Sequence, residues 1–265
     1  MFRRFGYATL LAASLAVSGV WAAEKQTDVY TFGSLKSTPA ATARTQAQEW
    51  LASTGKTDDA TRKQFDAIWS QADKPLLDKI AETLCLDAKA AELLKSINDG
   101  TAVPKDVPVL LKDSKQPAFF RANMALLFAK AISSRRVYEE ALEALNTAKP
   151  EQVADPSAYF FHKAVAEHAL MKKEEASHSI VRLLDDVADA PDRYKMVATL
   201  MFLDMQTWKS DEKDLMNITK LMDNSERRLD LYRAGKKTQD IQKKIVFRLD
   251  EVIKEMENQA KSGGT

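Results

Sequence analysis

Small residues recur in this chain at a nearly fixed spacing, and that spacing constrains its fold more than any other feature. Two independent series share intervals of 35 and 34 positions. A period of this length is typical of stacked antiparallel helix pairs, in which short side chains let two backbones approach closely. We therefore expect an all-α fold whose helix pairs stack into an array over residues 117–210. The two series are Ala129, Ala164 and Ala198, and Ala141, Ala176 and Ser210.

The array resembles the tetratricopeptide pattern, whose period is about 34 residues, over residues 119–210. Pro156 and Pro191 are again 35 positions apart. They mark the start of the second and third units, because proline suits the first turn of a helix. The match is partial, since alanine takes the glycine position of every unit. Three ordinary helix pairs of even length would give the same period, and both interpretations predict the same all-α packing.

Further helices are expected before the array. Residues 38–116 carry apolar stripes at helical spacing, which predicts an N-terminal subdomain of short helix pairs, one of them capped by Asp73. Within it, residues 101–116 contain two prolines and form either a short extended piece or a tucked loop. Residues 23–37 are polar and unpatterned, so we expect a flexible leader there.

Residues 211–260 predict a C-terminal antiparallel helical hairpin that turns at Gly235. Thr238 is the expected cap of its second helix. Because this helix has one continuous apolar stripe, we expect that stripe to pack on the first helix of the hairpin. Residues 261–265 are expected to be disordered. The stripe consists of Ile241, Ile245, Leu249, Val252 and Met256.

The first 22 residues have the pattern of a secretory signal peptide. Arg3 and Arg4 precede an apolar run of small residues, and cleavage after Ala22 fits best. An uncleaved anchor is the alternative, but the run is short for a span of about 20 residues. Cleavage moves the formal net charge from +1 to −1, so no nucleic-acid partner is expected from overall charge. We expect a secreted or periplasmic protein with no membrane span after signal removal.

Three segments carry a resemblance to a known family. They read AVAEHALMKKEEASHSIVRLLDDVADAPDRYKMV over residues 164–197, KDLMNITKLMDNSERRLDL over 213–231 and TQDIQKKIVFRLDEVIKEMEN over 238–258. The chain resembles, over about residues 119–258, an uncharacterised family of predicted secreted proteins that is abundant in planctomycete-type bacteria. The resemblance implies export and helical structure, and it transfers no catalytic residue.

The residues that catalysis or metal binding requires are few and badly spaced. His162, His168 and His178 are the only histidines, and the first two lie six positions apart, unlike the i, i+4 pair of a zinc helix. We interpret them as structural or surface residues, with a metal site as the alternative. Cys85, the only cysteine, is expected to be a buried inert thiol, with a redox or intermolecular role as the alternative. No cofactor motif is present, and no cofactor is expected.

The turn of the predicted hairpin has the strongest local charge of the chain. Eight basic residues surround it against only Asp230 and Asp240. A solvated helical tip is one interpretation. The other is a docking patch for an anionic partner such as an acidic protein surface, an envelope polymer or, secondarily, nucleic acid. The eight residues are Arg227, Arg228, Arg233, Lys236, Lys237, Lys243, Lys244 and Arg248.

These observations favour a binding protein over an enzyme. Stacked helix pairs form an extended concave face, and the sequence pairs no nucleophile with a base. We therefore expect an exported, non-enzymatic scaffold of the cell envelope or periplasm for protein partners. Its oligomeric state is open. The alternatives are a self-associating structural envelope protein and a metal-dependent or hydrolytic enzyme. By the tetratricopeptide register, the expected groove contacts are Asn123, Lys130, Phe161 and His168.

Overall fold

The computed structural model describes residues 32–99, 103–208 and 215–262. Over these ranges the chain forms α-helices, one brief 3-10 turn at Pro150–Gln152 and no β-strand, which confirms the predicted all-α fold. No helix of the described ranges is long and apolar enough to cross a membrane. The predicted signal peptide, residues 1–22, lies outside them. The helices are α1 (Ala40–Ser53), α2 (Asp59–Trp69), α3 (Leu76–Leu84), α4 (Ala88–Asn98), α5 (Val109–Lys112), α6 (Ala118–Ser133), α7 (Tyr138–Leu145), α8 (Pro156–Ala169), α9 (Lys173–Asp185), α10 (Asp192–Gln206), α11 (Leu215–Asp230) and α12 (Lys236–Ser262).

Acidic caps begin two of the N-terminal helices. The carboxylates of Asp58 and Asp87 accept hydrogen bonds from backbone N–H groups in the first turns of α2 and α4. These bonds satisfy donors that have no partner within the helix. Helix α3 begins at Leu76, directly after Pro75, so the cap predicted at Asp73 is wrong. Pro75 stands at the start of this helix instead, because the fixed φ of proline suits a helix start.

The segment that precedes the array is a tucked loop. It contains the short helix α5, which packs on α6. Val107 and Leu111 are buried in the core. Of the two alternatives for this segment, the extended piece is therefore wrong, and the loop joins the N-terminal helices to the array through apolar contacts.

Helices α6 to α9 stack as two pairs, and α10 packs on both α8 and α9. Ala129, Ala164 and Ala198 have no exposed area, which confirms that the repeated small residues are buried. A longer side chain at these positions would hold the helices apart. The third unit differs from the prediction, because α10 ends at Gln206 and the described part of the chain contains no second helix paired with it. Ser210 of the second series lies outside the described ranges.

The end of the predicted leader is ordered against the array. The backbone of Leu35 donates to Asp186 at 2.9 Å and accepts from Ala188 at 2.9 Å. The amide of Ser37 donates to the carboxylate of Asp189 at 3.0 Å. The expectation of a flexible leader is therefore wrong for residues 32–37. Its polar sequence gave no sign of this, because backbone groups make most of these bonds.

Helices α11 and α12 pack on each other as the predicted hairpin. Ile245 is buried, but Leu249 and Met256 are exposed, so the predicted continuous stripe does not pack as a whole. Helix α12 begins at Lys236, two residues before the predicted cap at Thr238, and it continues to Ser262. The prediction of a disordered tail is thus wrong for its first two residues.

Candidate functional site

A cavity of about 770 Å³ opens between helices α3, α4, α6 and α8. Its apolar lining includes Leu94 of α4, Leu127 and Ala131 of α6, and Val165 of α8. Small-molecule sites in proteins have volumes of about 300–1,000 Å³ and are mostly apolar, with a few polar groups that fix the ligand. The size and lining of this cavity therefore fit a small ligand.

The spacing of residues on α6 explains why one of its faces lines the cavity. Leu127, Lys130 and Ala131 of α6, and Ser134 directly after it, lie at positions i, i+3, i+4 and i+7, and all four line the cavity. Residues at these intervals share one face of a helix. On α8, the ring of Phe161 stacks on Tyr194 of α10 with centroids 4.2 Å apart, which fixes the position of this aromatic wall.

Two buried polar atoms of the cavity lining have no hydrogen-bond partner among the described residues. They are Nε2 of His162 and Oγ of Ser133. Buried polar atoms in native proteins nearly always have a partner, so these two are available to a ligand or to water. Burial lowers the pKa of His162 to about 4, and the charge of Lys130 contributes. The imidazole ring is therefore neutral at pH 7.

Charge around the cavity is compensated unevenly. Lys130 is exposed and forms no ion pair with any described residue. On the α3 wall, Glu82 binds Lys74 through contacts of 2.5 and 2.6 Å. Asp78, also exposed, lies in the first turn of α3, where the helix dipole stabilises a carboxylate. The charge that acts on His162 is therefore that of Lys130, whereas the carboxylates of the lining lie on the α3 wall.

The predicted groove contacts do not form one surface. Lys130 and Phe161 both line the cavity between α3, α4, α6 and α8. Asn123 is wrong as a groove contact, because it has no exposed area. Its amide donates to the carbonyl of Phe119 at 2.8 Å and accepts from the amide of Ala154 at 2.9 Å. This side chain joins α6 to the loop before α8.

His168 lies apart from the cavity, in a cluster that joins α8, α10 and α11. Its Nε2 is 2.9 Å from Oδ2 of Asp204. The indole N–H of Trp208 donates to the same oxygen at 2.9 Å, and Lys220 lies 4.5 Å from the centroid of the Trp208 ring. His168 is thus engaged in contacts within the fold, and it does not share a groove with Lys130.

Three arginines of the predicted anionic-partner patch are instead engaged within the fold. Arg227 donates two hydrogen bonds of 2.9 Å to the carboxylate of Glu139. Arg228 donates to the same carboxylate at 2.5 Å, and Arg233 donates to Glu140 at 3.0 Å. The prediction of an exposed patch is therefore wrong for these three arginines. Their charge is neutralised by carboxylates that lie 88 to 93 positions away in the sequence.

The remaining basic residues of the predicted patch lie on α12. Lys236, Lys237, Lys243 and Lys244 are exposed. Arg248 is half-buried and binds Glu251 at 2.7 Å. The exposed basic charge of the predicted patch is therefore smaller than the sequence predicts, and it lies in the first half of α12.

The thiol and the histidines belong to no metal-binding group among the residues that the structure describes. Within the described ranges, no group of three His, Cys, Asp or Glu side chains could hold a metal ion. Cys85 is exposed and lines the cavity, so the expectation of a buried thiol is wrong. It directly follows α3. Partial burial and the Glu82 carboxylate raise the pKa of this thiol, which disfavours its reactive thiolate form.

Comparison with known proteins yields no relative. No protein-family model, curated protein or solved structure matches this chain with significance. Functional inference therefore depends on the geometry and chemistry of the cavity.

Proposed function

We propose that this protein is an exported, non-enzymatic scaffold that binds a small apolar carboxylic acid in the cavity between α3, α4, α6 and α8. The observation that carries the proposal is a pair of buried atoms, His162 Nε2 and Ser133 Oγ, which have no hydrogen-bond partner among the described residues and lie in a cavity that Lys130 also lines. The basic start and apolar run of residues 1–22 support export.

A carboxylate suits these polar groups because it only accepts hydrogen bonds. The hydroxyl of Ser133, the ammonium of Lys130 and, in one tautomer, Nε2–H of His162 can all donate. Hydrogen bonds between charged groups are about twice as strong as neutral ones. An ammonium head would meet the charge of Lys130 with repulsion. The apolar lining then takes the rest of the ligand.

The N-terminal helices favour a small ligand over an extended peptide. Helices α3 and α4 pack on α6 and line the cavity opposite α8. The site is therefore a bounded cleft between four helices. An extended peptide would need a continuous open face, as stacked repeats otherwise provide.

The ionisation of the lining residues supports binding over catalysis. A thiol nucleophile reacts as the thiolate, and the pKa of Cys85 is raised by partial burial and by Glu82. A general base works best when its pKa is near the working pH, whereas burial lowers the pKa of His162 to about 4. Neither residue is therefore tuned for reaction at neutral pH.

Protection of Cys85 provides a direct test, because it is the only cysteine of the chain and lines the cavity. The rate of its alkylation by a maleimide would be measured with octanoate, octanol and octylamine, each below its micelle concentration. We expect octanoate to slow alkylation at the lowest concentration. Equal protection by octylamine, or no protection by any of the three, would contradict the proposal.

Two lysine variants distinguish a specific site from general apolar binding. Lys130→Met removes the ammonium and should weaken octanoate binding about tenfold. This is the change in affinity that corresponds to the free energy of one charge-assisted hydrogen bond. Octanol binding should not change. Lys112→Met is the matched control, since Lys112 is exposed and pairs with Glu143 at 2.6 Å, away from the cavity. An equal loss in both variants would count against a role for Lys130.

A further inference from the structure

Helix α12 exposes a row of large apolar side chains at a spacing of 3, 4 and 3 residues. They are Val246, Leu249, Ile253 and Met256, with exposed fractions of 59%, 37%, 52% and 65%. This spacing is that of the a and d positions of a coiled coil. Exposed apolar rows of this kind mark interaction surfaces in soluble proteins.

The exposed row is distinct from the face that α12 packs on α11. Ile245 is buried and Ile241 and Val252 are partly buried, so these three mark the face towards α11. At 100° per residue, the mean direction of the four row residues lies about 80° further around the helix, and that of Val246 and Ile253 lies about 110° further. Helix α12 thus has one covered apolar face and a second one that no described residue covers.

The charges beside this row differ between the two halves of α12. Residues 236–249 carry five basic residues against Asp240, whereas residues 250–262 carry four acidic residues against Lys254 and Lys261. Two parallel copies would place like charges side by side, which is unfavourable. Two antiparallel copies place the basic half of each helix beside the acidic half of the other.

We propose that two copies of this chain associate through α12, antiparallel and related by a two-fold axis. Val246 of each copy then lies opposite Met256 of the other, and Leu249 lies opposite Ile253. The same register brings Lys243 of one copy towards Glu257 of the other. Such a contact is self-complementary and closed, as is usual for homodimers, and it is independent of the cavity between α3, α4, α6 and α8.

The first test is the mass of the mature chain over a wide concentration range, measured by sedimentation equilibrium. We expect a reversible monomer–dimer equilibrium. Ile253→Asp should weaken dimerisation by about a hundredfold or more, because it places a charge in the seam. Phe247→Asp is the matched control, since Phe247 is equally exposed on α12 but lies off the row, and it should leave the equilibrium within threefold.

A charge exchange tests the orientation of the two helices. Lys243→Glu alone and Glu257→Lys alone should each weaken the dimer several-fold, since each creates like-charge contacts. Both changes in one chain should restore it. A monomer at every concentration, or equal effects of Ile253→Asp and Phe247→Asp, would overturn the proposal. A double variant weaker than either single variant would overturn the antiparallel arrangement.

Discussion

Glu139 joins the C-terminal hairpin to the array, and we predict that Glu139→Gln loosens the hairpin. Its carboxylate accepts hydrogen bonds from Arg227 at 2.9 Å and from Arg228 at 2.5 Å, both on α11. Arg233, in the turn before α12, lies 3.7 Å away. Removal of this carboxylate charge leaves buried guanidinium groups without their main partner, which is the costly way to break an ion pair.

The magnitude follows from the ionisation of Glu139. Burial acts to raise its pKa, but the hydrogen bonds and charge of Arg227, with the charge of Arg228, lower it from 4.5 to about 2. At about 1.4 kcal/mol per pKa unit this corresponds to about 3 kcal/mol. The side chain is 16% exposed, so solvent screening reduces the value, and we expect a loss of about 2 kcal/mol at pH 7.

The pH dependence has a defined sign. The pKa of Glu139 is lower in the folded state than in the unfolded state, so its contribution is complete above the unfolded value. It is lost as the pH falls from about 5 towards 2. The hairpin of the unsubstituted chain should therefore loosen with acid, and the hairpin of Glu139→Gln should be less sensitive to acid over this range.

Hydrogen exchange of the α11 and α12 amides in the full chain measures the effect. We expect faster exchange in both helices of Glu139→Gln and little change in α8 and α9. Glu143→Gln is the control, because Glu143 pairs with Lys112 at the surface and such pairs contribute about 0–1 kcal/mol. Unchanged protection of α11 in Glu139→Gln would show that apolar contacts, and not the arginines, hold the hairpin.

Three further substitutions test the packing, each by chemical denaturation of the full chain. Ala164→Leu should overpack the helix crossing and cost about 1–3 kcal/mol, whereas an unchanged midpoint would contradict the repeat register. Asn123→Ala should cost about 1–3 kcal/mol, since it leaves the buried amide of Ala154 without its acceptor. Ile245→Ala should cost about 2–4 kcal/mol through the cavity it leaves between α11 and α12, and a loss below about 1 kcal/mol would show that the site collapses.

The all-α fold and the burial of the recurring alanines could be predicted, because both follow from the spacing of residues along the chain. A period of 34 to 35 residues placed Ala129, Ala164 and Ala198 in the core, where the structure has them. Pro156 begins α8 as expected, with Asp155 accepting a hydrogen bond from Ala158. Such features depend on helical spacing and on capping within a few residues. Helical spacing and capping can therefore be recognised from the sequence alone.

The attachment of the hairpin could not be predicted, because it depends on contacts between distant residues. Arg227 and Glu139 are 88 positions apart, and nothing local distinguishes this arginine from the exposed Lys237. The eight basic residues near one turn therefore predict an exposed basic patch. The order of residues 32–37 could not be predicted for a related reason. Backbone groups of Leu35 make the hydrogen bonds to the array, and backbone groups give no side-chain pattern in the sequence.

Of the four groove contacts expected from the sequence, only Lys130 and Phe161 line the cavity. The α3 wall was missed, including Cys85, because the docking of α3 on α6 has no local signature. Ser133 was missed as well. Its position three residues after Lys130 was the available indication, since the two share a helix face.

The position of the N-terminal helices supports the proposal of a small ligand. A short stack of helix pairs alone would present an open face to a long partner. Here α3 and α4 pack on α6, so Lys130 and Phe161 face a bounded cavity of about 770 Å³. In the two proposals, a small ligand occupies this cavity, and self-association uses the apolar row of α12 that no described residue covers. Because the cavity and the row on α12 are separate surfaces, one chain could bind a small ligand and self-associate without competition between the ligand and the second copy.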